Sequence, residues 1–410
     1  MRLISAAIFF LTVWISTTAM AQPTPAEFPQ STAAQQAAYA SWRDGFRARA
    51  AANGVTSQLF DAAFRGTSYN TEVTYRDGHQ AEFTRTIWDY LDVAVSDARV
   101  SNGRRLARQN ARTLRAIENQ YAVEAQVVMS IWGMESNYGA MRGDIPVVEA
   151  LGTLATNGRR RAWAERELLN VFRILANGDI APAKLTGSWA GAMGHTQFMP
   201  SSYLAYARDI RGDGRRDIWG DNPEDALAST AHYLAAHGWR HGAPVAHEVT
   251  LPRGFDYALI DGETRRNADF WAGRGVARVN GALYTGAPFS LWAPAGARGP
   301  VFAVYPNFQV IRRYNNAASY ALAVGLLADQ INGAGPLRAS WPRDERALTQ
   351  AEITEMQRVL EALGYATGGA DGRMGPNTRR AIRAFQRAKG QLNDGEPSVS
   401  LLSALRQEAG

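Results

Sequence analysis

From Gln36 to about Ala236, apolar side chains recur at helical spacing, as in Trp42-Phe46-Ala50, Phe83-Ile87-Leu91, Leu168-Phe172-Leu175 and Ala226-Tyr233. Residues three and four apart share a helix face, so the pattern predicts a large, mainly α domain. Between Pro244 and Arg313 the texture changes to short β-rich runs, Val245 to Leu251 and Val301 to Val310, set off by Gly and Pro. Helix resumes over Ser319 to Ile331. A Gly/Pro/Arg-rich linker, Gly333 to Arg346, then leads to a small helical tail. The reading is a helical domain with a modest β-rich insertion, followed by a separate module. We find no internal repeat.

The start of the chain reads as an export signal. Arg2 is the positive start, Leu3 to Ile15 the apolar stretch, and Ala19-Met20-Ala21 a small-x-small cleavage site before Gln22. That apolar stretch is short for a membrane span, and no other segment approaches the length, so no transmembrane segment is expected after cleavage. Residues 22 to 35, rich in Pro, Gln, Ala and Thr, predict a flexible lead-in. Cysteine is absent, which excludes disulfides, thiolate zinc sites, thiol nucleophiles and an acylated lipoprotein start. An exported chain of this kind is held by its core. At 410 residues and 46% hydrophobic composition it has enough for two or more domains. Lys and Arg number 44 against 38 Asp and Glu, and the resulting +6 suits an anionic partner such as cell-wall polymer or lipid headgroups. The export signal argues against nucleic acid.

One acidic residue stands out. In Ile131-Trp-Gly-Met-Glu135-Ser-Asn-Tyr-Gly139, Glu135 closes an apolar helix read from Ala122, on one face with Val127 and Ile131. Burial disfavours a carboxylate anion, and a helix ending near Asn137 or Gly139 turns its carbonyl end to it. Those conditions suit a general acid, although a structural Glu bonded to an Arg satisfies the same pattern. A second stretch, Gly187-Ser188-Trp189 through Gly191, Gly194-His195-Thr-Gln197-Phe198-Met199-Pro200-Ser201, is too glycine-rich for an ordinary helix. Ser188, His195 and Gln197 offer hydrogen bonds there, Trp189 and Phe198 apolar surface, and Pro200 the start of a helix.

Together these stretches resemble the lytic murein transglycosylase B family, the membrane-bound lytic transglycosylase B-like enzymes that cleave peptidoglycan glycan strands. The resemblance covers roughly Gln36 to Asn332. It rests on Trp132 to Gly139, Gly187 to Tyr203, Tyr233 to Trp239 and Arg313-Tyr314-Asn315, four motifs in the family's order. It implies a lysozyme-like helical catalytic domain with Glu135 as the single acid/base. It also implies substrate contacts from Ser188, Gln197, Tyr233, Tyr314, Asn315 and Tyr320. Tyr233 and Tyr320, at helical spacing, also read as core. In the family, proton donation to the bond between N-acetylmuramic acid and N-acetylglucosamine is followed by attack of the muramoyl 6-hydroxyl, giving a 1,6-anhydro product. Ser188 or Asn315 would orient the acetamido group.

Some members carry a calcium loop where this chain has Asp209-Ile-Arg-Gly-Asp213-Gly214-Arg-Arg-Asp217. Such a loop wants oxygen ligands at positions one, three, five and twelve. Arg211 stands at the third and Gly220 at the twelfth, so Asp209, Asp213 and Asp217 predict weak calcium binding or none, and no cofactor is expected. His232, His237 and His241 lack zinc spacing. In the tail, Ile353, Met356, Leu360 and Leu363 form one helical face, Asp371-Gly-Arg-Met-Gly375 a turn before Ala381-Ile382-Phe385-Gln386, and Leu401, Leu402 and Leu405 a third helix. This resembles the three-helix peptidoglycan-binding domain and implies wall tethering.

The expected organisation is therefore a signal peptide over 1–21, a lead-in over 22–35, a catalytic domain over 36–334, a linker over 335–346 and a wall-binding module over 347–410. The expected place is the periplasm and the expected partner the glycan strand. A muramidase using water, or a non-catalytic wall-binding scaffold, stays open at this point. Exo or endo cleavage, peptide-stem preference, protein partners and the module's contact residues are not legible.

Overall fold

A computed structural model describes residues 28–78, 86–262 and 264–409. The export signal expected over 1–21 lies outside the described residues, as do residues 22–27 of the lead-in and Phe83. The lead-in ends sooner than its composition suggested. Thr32 caps the helix Ala33–Ala52: its hydroxyl accepts the Gln35 N–H while the Gln35 carboxamide accepts its own. Thr followed three residues on by Gln is a capping box, so Ala33 to Gln35 are helical. The described residues form two compact units, one from 28–78 with Asp97–Trp239, the other from 86–96 with the residues from Arg240 onward.

The first unit is helical, with a short antiparallel ribbon of Ile145–Pro146 against Thr186–Gly187. Trp42, Phe46 and Ala50 are buried as their spacing predicted; Phe46 meets Phe60 and Phe172, and Phe64 meets the same two rings, in an aromatic core. Burying a Phe ring contributes roughly 1.5–3 kcal/mol, so this cluster alone anchors the three helices Ala33–Ala52, Ser57–Phe64 and Arg161–Ala176. Glu135 lies on the helix Ala125–Ser136. That helix begins at Ala125, because Ala122 adopts a left-handed conformation (φ 52°) that ends the preceding helix Ala111–Tyr121. Every residue from Val127 to Ser136 is buried, so the helix is covered all round rather than on one face.

The second unit holds a four-stranded antiparallel sheet in the order Ala277–Arg278, Ala246–Thr250, Val301–Val304, Ser290–Trp292. Its core gathers Trp271, Phe289 and Tyr305. The run expected to be β from Val301 to Val310 splits. Pro306 cannot donate to a ladder and suits the first turn of a helix, so Pro306–Tyr314 is helical. The helix Ala318–Ile331 follows, and the helix Ile87–Ala94, which carries the predicted Ile87-Leu91 spacing, is capped by Thr86. The tail forms Gln350–Ala362, Pro376–Ala388 and Val399–Ala409 around Met356, Leu360, Ile382, Phe385, Leu402 and Leu405. It shares a compact unit with the sheet. The linker is tied down within that unit: Arg343 forks onto Asp92 at 2.7 and 2.8 Å, and Trp341 packs against Trp88 and Phe302.

Candidate active site

Glu135 occupies the last turn of its helix and is 7% exposed. Asn137 (φ 48°) ends the helix in the left-handed region that Asn tolerates, and Asn137 and Tyr138 donate back to Gly133 and Trp132. Helix carbonyls thus point toward the turn that carries Glu135. Trp132 and Ser136, on either side of Glu135, both reach the glycine-rich loop. Trp132 Nε1–H donates to His195 Nδ1 at 3.0 Å, and Ser136 Oγ–H to the His195 carbonyl. The loop is folded tightly enough to require its glycines. Gly194 has φ 69°, and a Cβ there would lie 2.2 Å from the Ile218 carbonyl oxygen. The backbone of His195 pairs with that same carbonyl.

Ser188 stands in this loop, partly exposed, where its Oγ accepts the Ala192 N–H at 3.1 Å. Its hydroxyl hydrogen is therefore available to a ligand acceptor. Gln197 is held at φ 51°, its carboxamide nitrogen donating to Arg142 O at 3.0 Å and Gly194 O at 2.8 Å. Tyr233 lies on Glu224–Ala236, which packs against the Glu135 helix; its ring stacks on His237 at 4.1 Å and tilts against Phe198. The first unit therefore carries Glu135, Ser188, Gln197 and Tyr233 on three elements: the helix Ala125–Ser136, the glycine-rich loop tied to it, and Glu224–Ala236 packed against it. Tyr314 and Asn315, both buried at the end of Pro306–Tyr314, and Tyr320, inside Ala318–Ile331, belong to the second unit. The Asn315 Oδ1 accepts the Ala317 N–H, making the turn between the two helices.

Two expectations are corrected. His195 was read as a substrate hydrogen-bonder, yet it is buried, with both ring nitrogens engaged by the protein: besides Trp132, Nε2 meets Gly220 O at 2.7 Å. Trp189 and Phe198 were read as apolar ligand surface and are instead buried. The composition of the loop announced a ligand; most of its side chains fold the loop. The reciprocal signal that sequence reasoning missed is Trp132-x-x-x-Ser136, an i,i+4 pair that faces His195.

The acidic loop carries its own cation. Among the described residues, Asp209, Asp213 and Asp225 bring carboxylate oxygens within 4.8 Å of one another; the expected Asp217 is not in that set. Arg211 reaches Asp213 and Asp225 at 3.1 Å each and Asp217 at 3.9 Å. Asp209 accepts the N–H groups of Gly212 and Gly214, Asp225 those of Ile210 and Asp217. A calcium ion wants six to eight oxygens, and these carboxylates are already bonded to N–H groups or a guanidinium. This donor set does not fit calcium. His232 meets Arg208 and Tyr206 O, and His237 meets Tyr233 O, neither in a metal cluster.

The signature of the transglycosylase SLT domain matches residues 38–329 and that of a putative peptidoglycan-binding domain matches 349–405. The chain belongs to the transglycosylase SLT family. Membrane-bound lytic murein transglycosylase B of Escherichia coli (strain K12) is 33% identical over 248 residues, which is 59% of this chain and 66% of that protein. The solved structure of SltB3 from Pseudomonas aeruginosa in complex with NAG-anhNAM-pentapeptide superposes with a TM-score of 0.86 at 47% identity, over 90% of this chain and 99% of that one. The Escherichia coli lytic transglycosylase Slt35 in complex with calcium gives 0.61 at 27% identity, over 76% of this chain and 98% of that one. The fold is accordingly the lysozyme-like helical one of the family, followed by its small wall-binding domain. No helix among the described residues is long and apolar enough to cross a membrane.

Proposed function

We propose that this chain is a peptidoglycan lytic transglycosylase that opens the β-1,4 bond between N-acetylmuramic acid and N-acetylglucosamine, with Glu135 working alone as acid and then base. The observation that supports Glu135 is its place: a buried carboxyl group in the last turn of a fully covered helix, with both flanking polar residues tied to the loop that carries Ser188. Protonated Glu135 gives its proton to the glycosidic oxygen as the C1–O bond breaks. The muramoyl 6-hydroxyl then bonds to C1, its proton passes to the Glu135 carboxylate, and the product ends in a 1,6-anhydro ring. No water is consumed, so the second carboxylate of ordinary glycosidases is not required.

Ser188 offers its hydroxyl hydrogen to the substrate's acetamido oxygen, and Gln197 and Tyr233 add contacts from the same unit; the family resemblance assigns further contacts to Tyr314, Asn315 and Tyr320. The enzyme needs no metal, Arg211 competing with any ion for the oxygens of Asp213 and Asp225. It is exported to the periplasm, with the organisation laid out above, and its tail tethers it to the wall, raising local glycan concentration without adding chemistry. Mass spectrometry of digested sacculi tests the reaction: muropeptides one water lighter than the reducing-end forms support it, and reducing ends point to a muramidase. Glu135→Gln should abolish lysis while still sedimenting with sacculi. A Glu135→Gln protein as lytic as the parent removes Glu135 from the mechanism.

A further inference from the structure

His195 joins three segments around the end of the Glu135 helix. Its side chain takes the Trp132 N–H, its carbonyl takes the Ser136 hydroxyl, and its Nε2 meets Gly220 O. Ser136 Oγ in turn accepts the Gly139 N–H. Gly139 is needed here: at φ 84°, a Cβ would sit 2.4 Å from both Cε1 and Nδ1 of the imidazole. The turn after Glu135 is therefore shaped around this ring.

The hydrogen bonds also fix the proton. An indole N–H only donates, so Nδ1 is the bare nitrogen and Nε2 carries the hydrogen that goes to Gly220 O. Arg142 Nη1, 3.3 Å from Nε2, spends its own donor on that same carbonyl at 2.7 Å. A doubly protonated ring would set Nδ1–H against Trp132 N–H, and would bring a second positive charge beside Arg142. The charged groups around the ring are Arg142 from the turn and Asp217 and Asp221 from the following loop. Burial pushes this imidazole below its ordinary value, with Arg142 adding to the effect and the Gly220 bond and two aspartates opposing it.

We infer that His195 is a positioning residue: its neutral Nε2–H imidazole holds Trp132 through Nδ1 while its backbone carbonyl holds Ser136, and together they set the orientation in which Glu135 is presented. The inference rests on the reading of Glu135 as the acid. A carboxyl group displaced by about 1 Å loses on the order of a hundredfold in rate, so the clamp acts on turnover rather than on substrate affinity.

The test is steady-state kinetics on a defined peptidoglycan oligosaccharide from acid to neutral pH. His195→Ala should lower kcat about ten- to hundredfold with KM little changed. His195→Asn, whose Oδ1 accepts the Trp132 N–H at any pH, should recover most of kcat and lose the acid-side fall contributed by ring protonation. Trp132→Phe removes the same bond without touching the loop, so it carries the test if His195→Ala does not fold; its loss should not add to that of His195→Ala. Unchanged kcat and pH profile in Trp132→Phe and His195→Ala, or failure of His195→Asn to restore turnover, overturns the inference. Glu135→Gln is measured alongside. If it is dead while the His195 variants match the parent, only the clamp falls; if it is active, the functional reading falls first.

Discussion

Arg211 is the residue that decides whether the acidic loop needs a metal. It stands two residues after Asp209, at the position where a calcium loop places an oxygen, and bonds Asp213 and Asp225 at 3.1 Å. Asp225 is fully buried, and burial pushes its carboxyl up against the opposing pull of the Ile210 and Asp217 N–H groups and of Arg211. The buried anion is thus a cost only partly offset, and removing the guanidinium exposes more of it. Breaking a buried pair by deleting one partner costs about 3–5 kcal/mol. Arg211 is 24% exposed and Asp225 keeps its two backbone donors, which lowers the expectation to about 2 kcal/mol. In a unit of this size Arg211→Asn should lower the unfolding midpoint by roughly 4–8 °C in EDTA. The substitution also supplies an oxygen at the third loop position and removes the competing cation, so millimolar calcium should restore part of the loss. The parent should be indifferent to both additions. Scanning calorimetry with calcium and with EDTA reads both effects. A parent transition that rises with calcium, or an Arg211→Asn midpoint unchanged in EDTA, refutes the internal-cation argument.

Ser188→Ala should cost about 1 kcal/mol from the lost Ala192 N–H acceptor, and turnover should drop about tenfold through loss of the acetamido contact; unchanged turnover removes Ser188 from the substrate. In the second unit, burial holds the His247 imidazole down to about 4, and its Nδ1 has no partner. The folded form therefore favours neutral His247, and its contribution is complete above the unfolded value near 6.5 and lost as pH falls toward 4. The loss reaches at most about 3 kcal/mol before discounting for solvent around a half-buried ring. His247→Phe should flatten that slope in urea unfolding of the full chain; an equally steep slope places the acid sensitivity elsewhere.

Much of the fold was legible because burial in helices leaves a period. Trp42, Phe46 and Ala50, or Ile353, Met356 and Leu360, announce their faces by spacing alone, and Pro306 ends a strand and starts a helix for reasons local to one residue. The Val301 to Val310 run was misread because its apolar content suits a buried strand and a helix equally, and only the proline arbitrates. Glu135 was legible as a carboxylate at an apolar helix end. That the helix is covered on all sides was not, since the neighbours that cover it come from Glu224–Ala236 and other distant segments.

What the sequence by itself determined is the set of elements, the absence of any cysteine chemistry and the four motifs that name the family. The roles inside those motifs came from tertiary structure. His195 reads as a ligand-facing polar residue until Trp132, 63 positions earlier, is seen to donate to it. Arg211 reads as a flaw in a calcium loop until its guanidinium is seen to lie against Asp225. Periodicity encodes which side of an element is buried; it carries no information about which distant group a buried polar atom will meet, and that meeting fixes tautomer, charge and role.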